Sequence, residues 1–240
     1  MSILSKTSNL IGTKYSKLED YVKALDNDIR QLFHRFSSLF SVRAINVGSE
    51  ADYISINSSG NLVLMGSATV WEDLRFPAQV LKLSGTKPPT WTAYQGGEIL
   101  SFSDQAIVGN EERVSFNAQL SHAYKEGSTI YPHIHWVSAD TSLGNVVWQL
   151  SYSWGNWTGT FPAATVTTMT VAKSTTLNYH SMNSFSPIVG TGKEISSILI
   201  CELSRNSSNA ADTYTADAYL VETDIHLECN TIGSDIELNK

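Results

Sequence analysis

The sequence is poor in charge. Asp, Glu, Lys and Arg make up 16% of its 240 residues, against roughly 25% in an average soluble domain. Its 16 Lys and Arg are scattered and the formal net charge is −7. A nucleic-acid surface needs grouped cations to displace counterions from phosphates, so this pattern argues against a nucleic-acid partner. The two cysteines, Cys201 and Cys229, lie in apolar runs with no C-x-x-C spacing. That is neither a disulfide scaffold nor a zinc ribbon. It leaves two buried thiols, or one bridge if their Cα atoms come close. No run of 18 or more apolar residues exists, so no membrane insertion is expected. The opening "MSILSKTSNLIGTKYSKLED" has no continuous apolar stretch followed by a small-residue cleavage site, and folding in a cytoplasm is the expectation.

Signatures of catalysis are also missing. There is no G-x-S-x-G and no H-E-x-x-H. "GTGKE", Gly190 to Glu194, lacks the upstream Gly and the Ser or Thr after Lys193 that a phosphate loop requires. No nucleophile, base and orienting group assemble from the sequence, so no catalytic residues are nominated, no cofactor is expected, and the chain reads as a non-enzyme.

What is present begins with a helix pattern. From Tyr15 the apolar residues Tyr15, Leu18, Val22, Leu25, Ile29, Leu32, Phe36 and Leu39 recur at alternating steps of 3 and 4. A strict 3.5-residue seam flanked by polar residues cannot be buried by one helix alone, and it predicts a coiled coil between copies of this chain. The seam is therefore the candidate oligomerisation surface. A helix docked on its own domain is the competing reading. After Ser41 the pattern shortens. Ile54, Ile56, Leu62 and Leu64 alternate around "NSSGN" and predict a short hairpin.

From Trp71 onward the period is two. Val114, Phe116, Ala118 and Leu120 alternate with polar residues, and so do Val146, Trp148, Leu150, Tyr152 and Trp154. Ile195 to Leu203 is nearly continuously apolar, as a central strand would be. Glycine-rich and proline-rich turns separate these runs, with no helical pattern between them. The fold class expected is mainly β: a jelly-roll-like β-sandwich head behind an N-terminal coiled-coil stem. The boundaries expected are 1–14 as a docking segment, 15–41 as the stem, 42–70 as a short β collar or linker, and 71–240 as the head.

Three motifs carry possible chemistry. In "YPHIHW" the side chains of His133 and His135 share one face of a strand, which makes them the candidate metal ligands. Gly127 and this His-x-His resemble half of the cupin metal motif. The glutamate is absent, Asp140 stands near its place, and no Pro-x-Gly turn precedes His226. In "ETDIHLE", Glu222, Asp224, His226 and Glu228 also share a face. If that face meets His133 and His135, a His–carboxylate site results; otherwise these are the hydrated charges of an edge strand. Three copies of the His-x-His strand around a threefold axis are a further arrangement that holds one metal. Trp157, in a Gly-Asn-Trp-Thr-Gly loop, is the tryptophan expected to be exposed and is a candidate ligand contact.

The stretches "ATVWEDLRFPA", "TKPPTWTAYQGGEILSFSDQA", "YKEGSTIYPHIHW", "YSWGNWTGTFPA" and "RNSSNAADTYTADAYLVETDIH" together resemble a family of phage virion proteins encoded among head and tail structural genes. The resemblance covers Ala68 to Gly233. The helix followed by "GNLVL" is similar to the stem of trimeric phage fibres. What the resemblance implies is a homotrimeric fibre, spike or decoration protein of the virion. Its N-terminus would dock to capsid or tail, and its head would contact a host glycan or receptor. A carbohydrate-binding or glycan-cleaving tailspike is the first alternative, and a cupin-like metal-dependent enzyme the second.

Overall fold

The computed structural model describes residues 18–40, 45–57, 60–104, 111–234 and 236–237. These fall into two compact units, one holding the helix and the other the β head.

The helix α1 spans Leu18–Phe40. Val22, Leu25, Ile29 and Leu32 are exposed along it, with Leu32 at 61% and Leu25 at 45%. Tyr15 lies outside the described residues, as do the side chains of Leu18, Phe36 and Leu39. An i, i+4 ion pair, Asp26 with Arg30 at 2.8 Å, sits on the polar flank. Three short strands follow: Ile45–Gly48 (β1), Tyr53–Ile56 (β2) and Leu62–Met65 (β3), forming a sheet in that order. Leu64 is buried, and its N–H donates to Asn230 O at 2.7 Å, so β3 is fastened to the end of the head's last strand.

The head is a two-sheet sandwich. Its strands are β4 (Val70–Pro77), β5 (Lys82–Leu83), β6 (Thr90–Tyr94), β7 (Gly97–Phe102), β8 (Arg113–Gln119), β9 (Tyr131–Ser138), β10 (Asn145–Gly155), β11 (Thr165–Ala172), β12 (Ser181–Ser184), β13 (Ile198–Arg205) and β14 (Ala218–Cys229). One sheet has the order β11-β10-β13-β8-β5, and the other β12-β9-β14-β7-β6 with β4 also paired to β14. From β7 to β14 the chain crosses between the sheets at every step except the hairpin β10–β11. That double Greek-key path is the jelly roll.

Period-two patterning decides what lies between the sheets. Val114, Phe116 and Ala118 from β8, Trp148 and Leu150 from β10, and Leu199, Cys201 and Leu203 from β13 meet Ile134, Trp136, Leu220, Ile225 and Leu227 in one buried core. Trp148 stands edge-on to Phe102 and Trp136, with ring centroids 5.3 and 6.0 Å away. The nearly continuous apolar run at Ile195–Leu203 supplies a central strand, as expected. Cys201 and Cys229 are both buried and not joined in a disulfide, with the Cys229 thiol 3.9 Å from Glu72 Oε2, and burial pushes the Cys201 thiol up to about 12.

At one end of the sandwich a buried cation locks the β13–β14 connection. Arg205 is 1% exposed. Its Nε and Nη2 donate to Asp212 at 3.1 and 2.8 Å, and its remaining N–H groups reach the carbonyls of Phe102, Tyr214 and Ala216. The cations of Lys173 and Arg205 both approach the Tyr214 ring, at 4.9 and 5.5 Å from its centroid.

Candidate functional site

The site is the outer face of the sheet formed by β12, β9, β14 and β4. In β9, Pro132, Ile134 and Trp136 turn into the core, so Tyr131, His133 and His135 turn outward. In β14, Thr223, Ile225 and Leu227 are buried beneath the sheet, so Glu222, Asp224, His226 and Glu228 share the outer face. The two strands are direct neighbours, with His133 beside Asp224, His135 beside Glu222 and Tyr131 beside His226. On the other side of β14, Arg75 pairs with Asp224, Asp73 with His226 and Trp71 with Glu228.

Asp224 is the hub. It is 3% exposed. His133 Nε2 lies 2.6 Å from its Oδ1, and His135 Nε2 lies 3.2 Å from its Oδ2. The Oδ1 contact is short but poorly aligned, and this buried oxygen receives no hydrogen bond of good geometry. His133 Nδ1 donates to Tyr131 O at 3.3 Å. His135 Nδ1 lies 2.8 Å from His180 Nε2, brought in from the segment before β12. The Asp224 carboxylate, working against burial, holds the His133 pKa above the usual histidine value.

Around this hub the face is built from ion pairs. Arg75 donates from Nε and Nη2 to both oxygens of Glu222, at 2.5 and 2.8 Å. His226 pairs with Asp73 at 2.6 Å and stacks on the Trp71 indole, centroids 4.9 Å apart and nearly parallel. Lys125 Nζ sits 2.8 Å from Glu228. A cleft of about 440 Å³ opens over Asp73, Arg75, His135, His180, Glu222 and Asp224. A second, of about 450 Å³, runs past Trp71, Lys125, Tyr131 and Glu228.

The sequence-nominated ligands His133 and His135 thus come together with Asp224, while His226 belongs to the neighbouring Asp73 pair. Both nominated histidines face away from the sandwich interior, which Ile134, Trp136 and Trp148 fill. The enclosed pocket that a cupin-like centre requires is not at these residues. Trp157 is exposed in the β10–β11 loop, away from this face of the sheet. Sequence reasoning missed Trp71, Asp73 and Arg75. Their signal was present, because they alternate with the partly buried Leu74 and Phe76 in "VWEDLRFP". His180, in a loop, carried no such signal.

No family profile matches the chain, and no curated protein matches it. Among solved structures, the isomalto-dextranase of Arthrobacter globiformis T6 complexed with panose is similar at 12% identity and a TM-score of 0.42, over 64% of this chain and 23% of that one. A family 35 carbohydrate-binding module from Clostridium thermocellum is similar at 6% identity and a TM-score of 0.38, over 64% of this chain and 97% of that one. The CBM22-1 xylan-binding domain of Paenibacillus barcinonensis Xyn10C is similar at 12% identity and a TM-score of 0.37, over 78% and 99%.

Proposed function

We propose that this chain is a non-catalytic glycan-binding protein whose β-sandwich heads are presented together on a helical stem. The observation that carries the reading is the outer face of the β12-β9-β14-β4 sheet. There an exposed indole, Trp71, with Tyr131 at 5.7 Å, lines one cleft beside Lys125 and Glu228, and fixed carboxylates, imidazoles and the Arg75 guanidinium line the other. A sugar ring has an apolar C–H face and a rim of hydroxyls. Aromatic rings suit the first, and charged groups held in place by one another suit the second, since charge-assisted hydrogen bonds to fixed partners cost little ordering. The clefts are open, and Glu222 is paired with the Arg75 guanidinium and Asp224 with the His133 and His135 imidazoles rather than poised across an enclosed space, which supports binding over cleavage.

The exposed seam of α1 supports self-association, with several heads then acting together by avidity. Trimerisation, docking of residues 1–14 to a capsid or tail, and a place on a phage particle rest on the resemblance of Ala68–Gly233 to virion proteins. The test is a binding screen of the purified chain against bacterial surface glycans and plant polysaccharides. Trp71→Ala and Arg75→Ala should each weaken a hit at least about tenfold, the scale of a central aromatic or charged contact. Absence of binding across the panel overturns the reading. Loss of binding in Trp157→Ala but not in Trp71→Ala overturns the placement and moves the ligand to the β10–β11 loop.

A further inference from the structure

We propose that His133, His135 and Asp224 form a binding site for a divalent transition metal of the zinc class, one ion per chain, with an open coordination position facing the cleft. This goes beyond glycan binding and does not depend on it.

The argument begins with protons. His133 Nδ1 faces a backbone carbonyl, Tyr131 O, which can only accept, so Nδ1 carries the hydrogen. In a neutral ring, Nε2 is then a bare lone pair. That lone pair lies 2.6 Å from Asp224 Oδ1, a buried carboxylate oxygen with no well-aligned donor. Two acceptors do not approach so closely unless a positive charge lies between or beside them. Either a second proton on His133 or a metal ion supplies it. His135 presents its own Nε2 to the other oxygen of the same carboxylate, and its Nδ1 is engaged by His180. Both imidazoles therefore point Nε2 inward and are held from behind through Nδ1, the outer-shell arrangement of metal-ligating histidines.

The ligand atoms of the three residues lie within 4.8 Å of one another. Bonds of about 2.0–2.2 Å to imidazole nitrogen and carboxylate oxygen call for ligand separations of roughly 3.3 Å in a tetrahedron. Side-chain rotations would have to widen the 2.6 Å contact between His133 and Asp224 and draw in the longest separation to admit the ion. Two nitrogens and one oxygen disfavour calcium and magnesium, which take all-oxygen shells, and suit zinc and its neighbours. Three protein ligands leave the fourth position open, and His135 and Asp224 line the cleft of about 440 Å³.

The chain, stripped with chelator, is titrated with zinc sulfate alone and followed by native mass spectrometry and calorimetry. One zinc per chain is expected, with a rise in Tm. His135→Gln should weaken binding more than tenfold, and Asp224→Asn should do the same. Cobalt in place of zinc should give visible absorption that His135→Gln abolishes. If Asp224→Asn fails to fold, His135→Gln, with its more exposed ring, decides. Failure of the stripped chain to take up zinc overturns the proposal, as does unchanged affinity in His135→Gln. One zinc shared by three chains overturns it in favour of an axial clasp. A His133 ring that stays doubly protonated by NMR in excess zinc shows that a proton fills the gap and also overturns it.

Discussion

Removing the charge of Asp212 should unfold this head more readily than any change to a surface ion pair. The side chains of Arg205 and Asp212 are 0% and 2% exposed, with Nη2 and Oδ1 2.8 Å apart. Asp212 Oδ2 also accepts from Val147 N at 2.8 Å, which ties the β13–β14 connection to β10. Arg205 in turn satisfies the carbonyls of Phe102, Tyr214 and Ala216. In Asp212→Asn the shape is kept but the guanidinium stays buried without the carboxylate it is hydrogen-bonded to. Breaking a buried pair from one side costs about 3–5 kcal/mol, a factor of roughly 10² to 10³·⁵ in the folding equilibrium. Against a total stability of about 5–15 kcal/mol for a domain, that is a large share. Arg205→Met should cost a similar amount, because it strands Asp212 and three carbonyls. The double variant should recover at least about 1 kcal/mol of the sum, since no lone charge remains. The assay is urea unfolding at fixed chain concentration, followed by tryptophan fluorescence and circular dichroism with coincident midpoints. Single variants costing less than about 1 kcal/mol, or a strictly additive double variant, would refute the reasoning.

Two further outcomes follow from the same structure. Leu25→Asp with Ile29→Asp should convert an oligomer to a monomer by native mass while leaving the head's circular dichroism and Tm unchanged; an oligomer that survives would sink the stem. At Glu228, burial pushes the pKa up, but hydrogen bonds from Lys125 and Thr69 and the Lys125 charge together hold it below its usual value of 4.5. Its contribution to stability is therefore present above pH 4.5 and fades as pH falls through the lowered pKa, and Lys125→Met should flatten that part of a Tm-against-pH curve; an unchanged acid limb would count against the pairing.

Much of the fold was legible because a sandwich core needs side chains at period two, which β8 displays throughout and β9 and β10 over most of their length. The strand order was not. Nothing in Tyr131–Ser138 or Ala218–Cys229 says that these two segments are neighbours, because pairing is settled by crossings between sheets. The Arg205 clamp was invisible for a related reason. An arginine at the end of an apolar run reads as the strand emerging into water, and only the returning loop with Asp212 turns it into a buried pair. The seam on α1 was legible only as a pattern of apolar residues, of which Val22, Leu25, Ile29 and Leu32 are exposed along the helix.

The site itself depends on one irregularity. Ala218 and Leu220 are buried in the sandwich, so strict alternation along β14 would send Glu222 and Asp224 inward after them. Two carboxylates would then enter an apolar core, at a cost that folding cannot bear without partners. The pairing with β9 slips between Leu220 and Glu222, and a bulge at that point reverses the phase. Thr223 then turns to the core side, where its hydroxyl donates to His133 O at 3.0 Å. Asp224 turns outward against His133 and His135. The same slip moves the far side of β14 from β7, paired at Ala218–Leu220, to β4, paired from Glu222 onward, which brings Trp71, Asp73 and Arg75 to the face. A single extra residue near Val221 therefore decides both that the acids escape the core and which neighbours they meet. Deleting Val221 would restore the alternation, bury Glu222 and Asp224, and be expected to abolish folding rather than only the site; a soluble, folded deletion variant would show that some other feature sets the register.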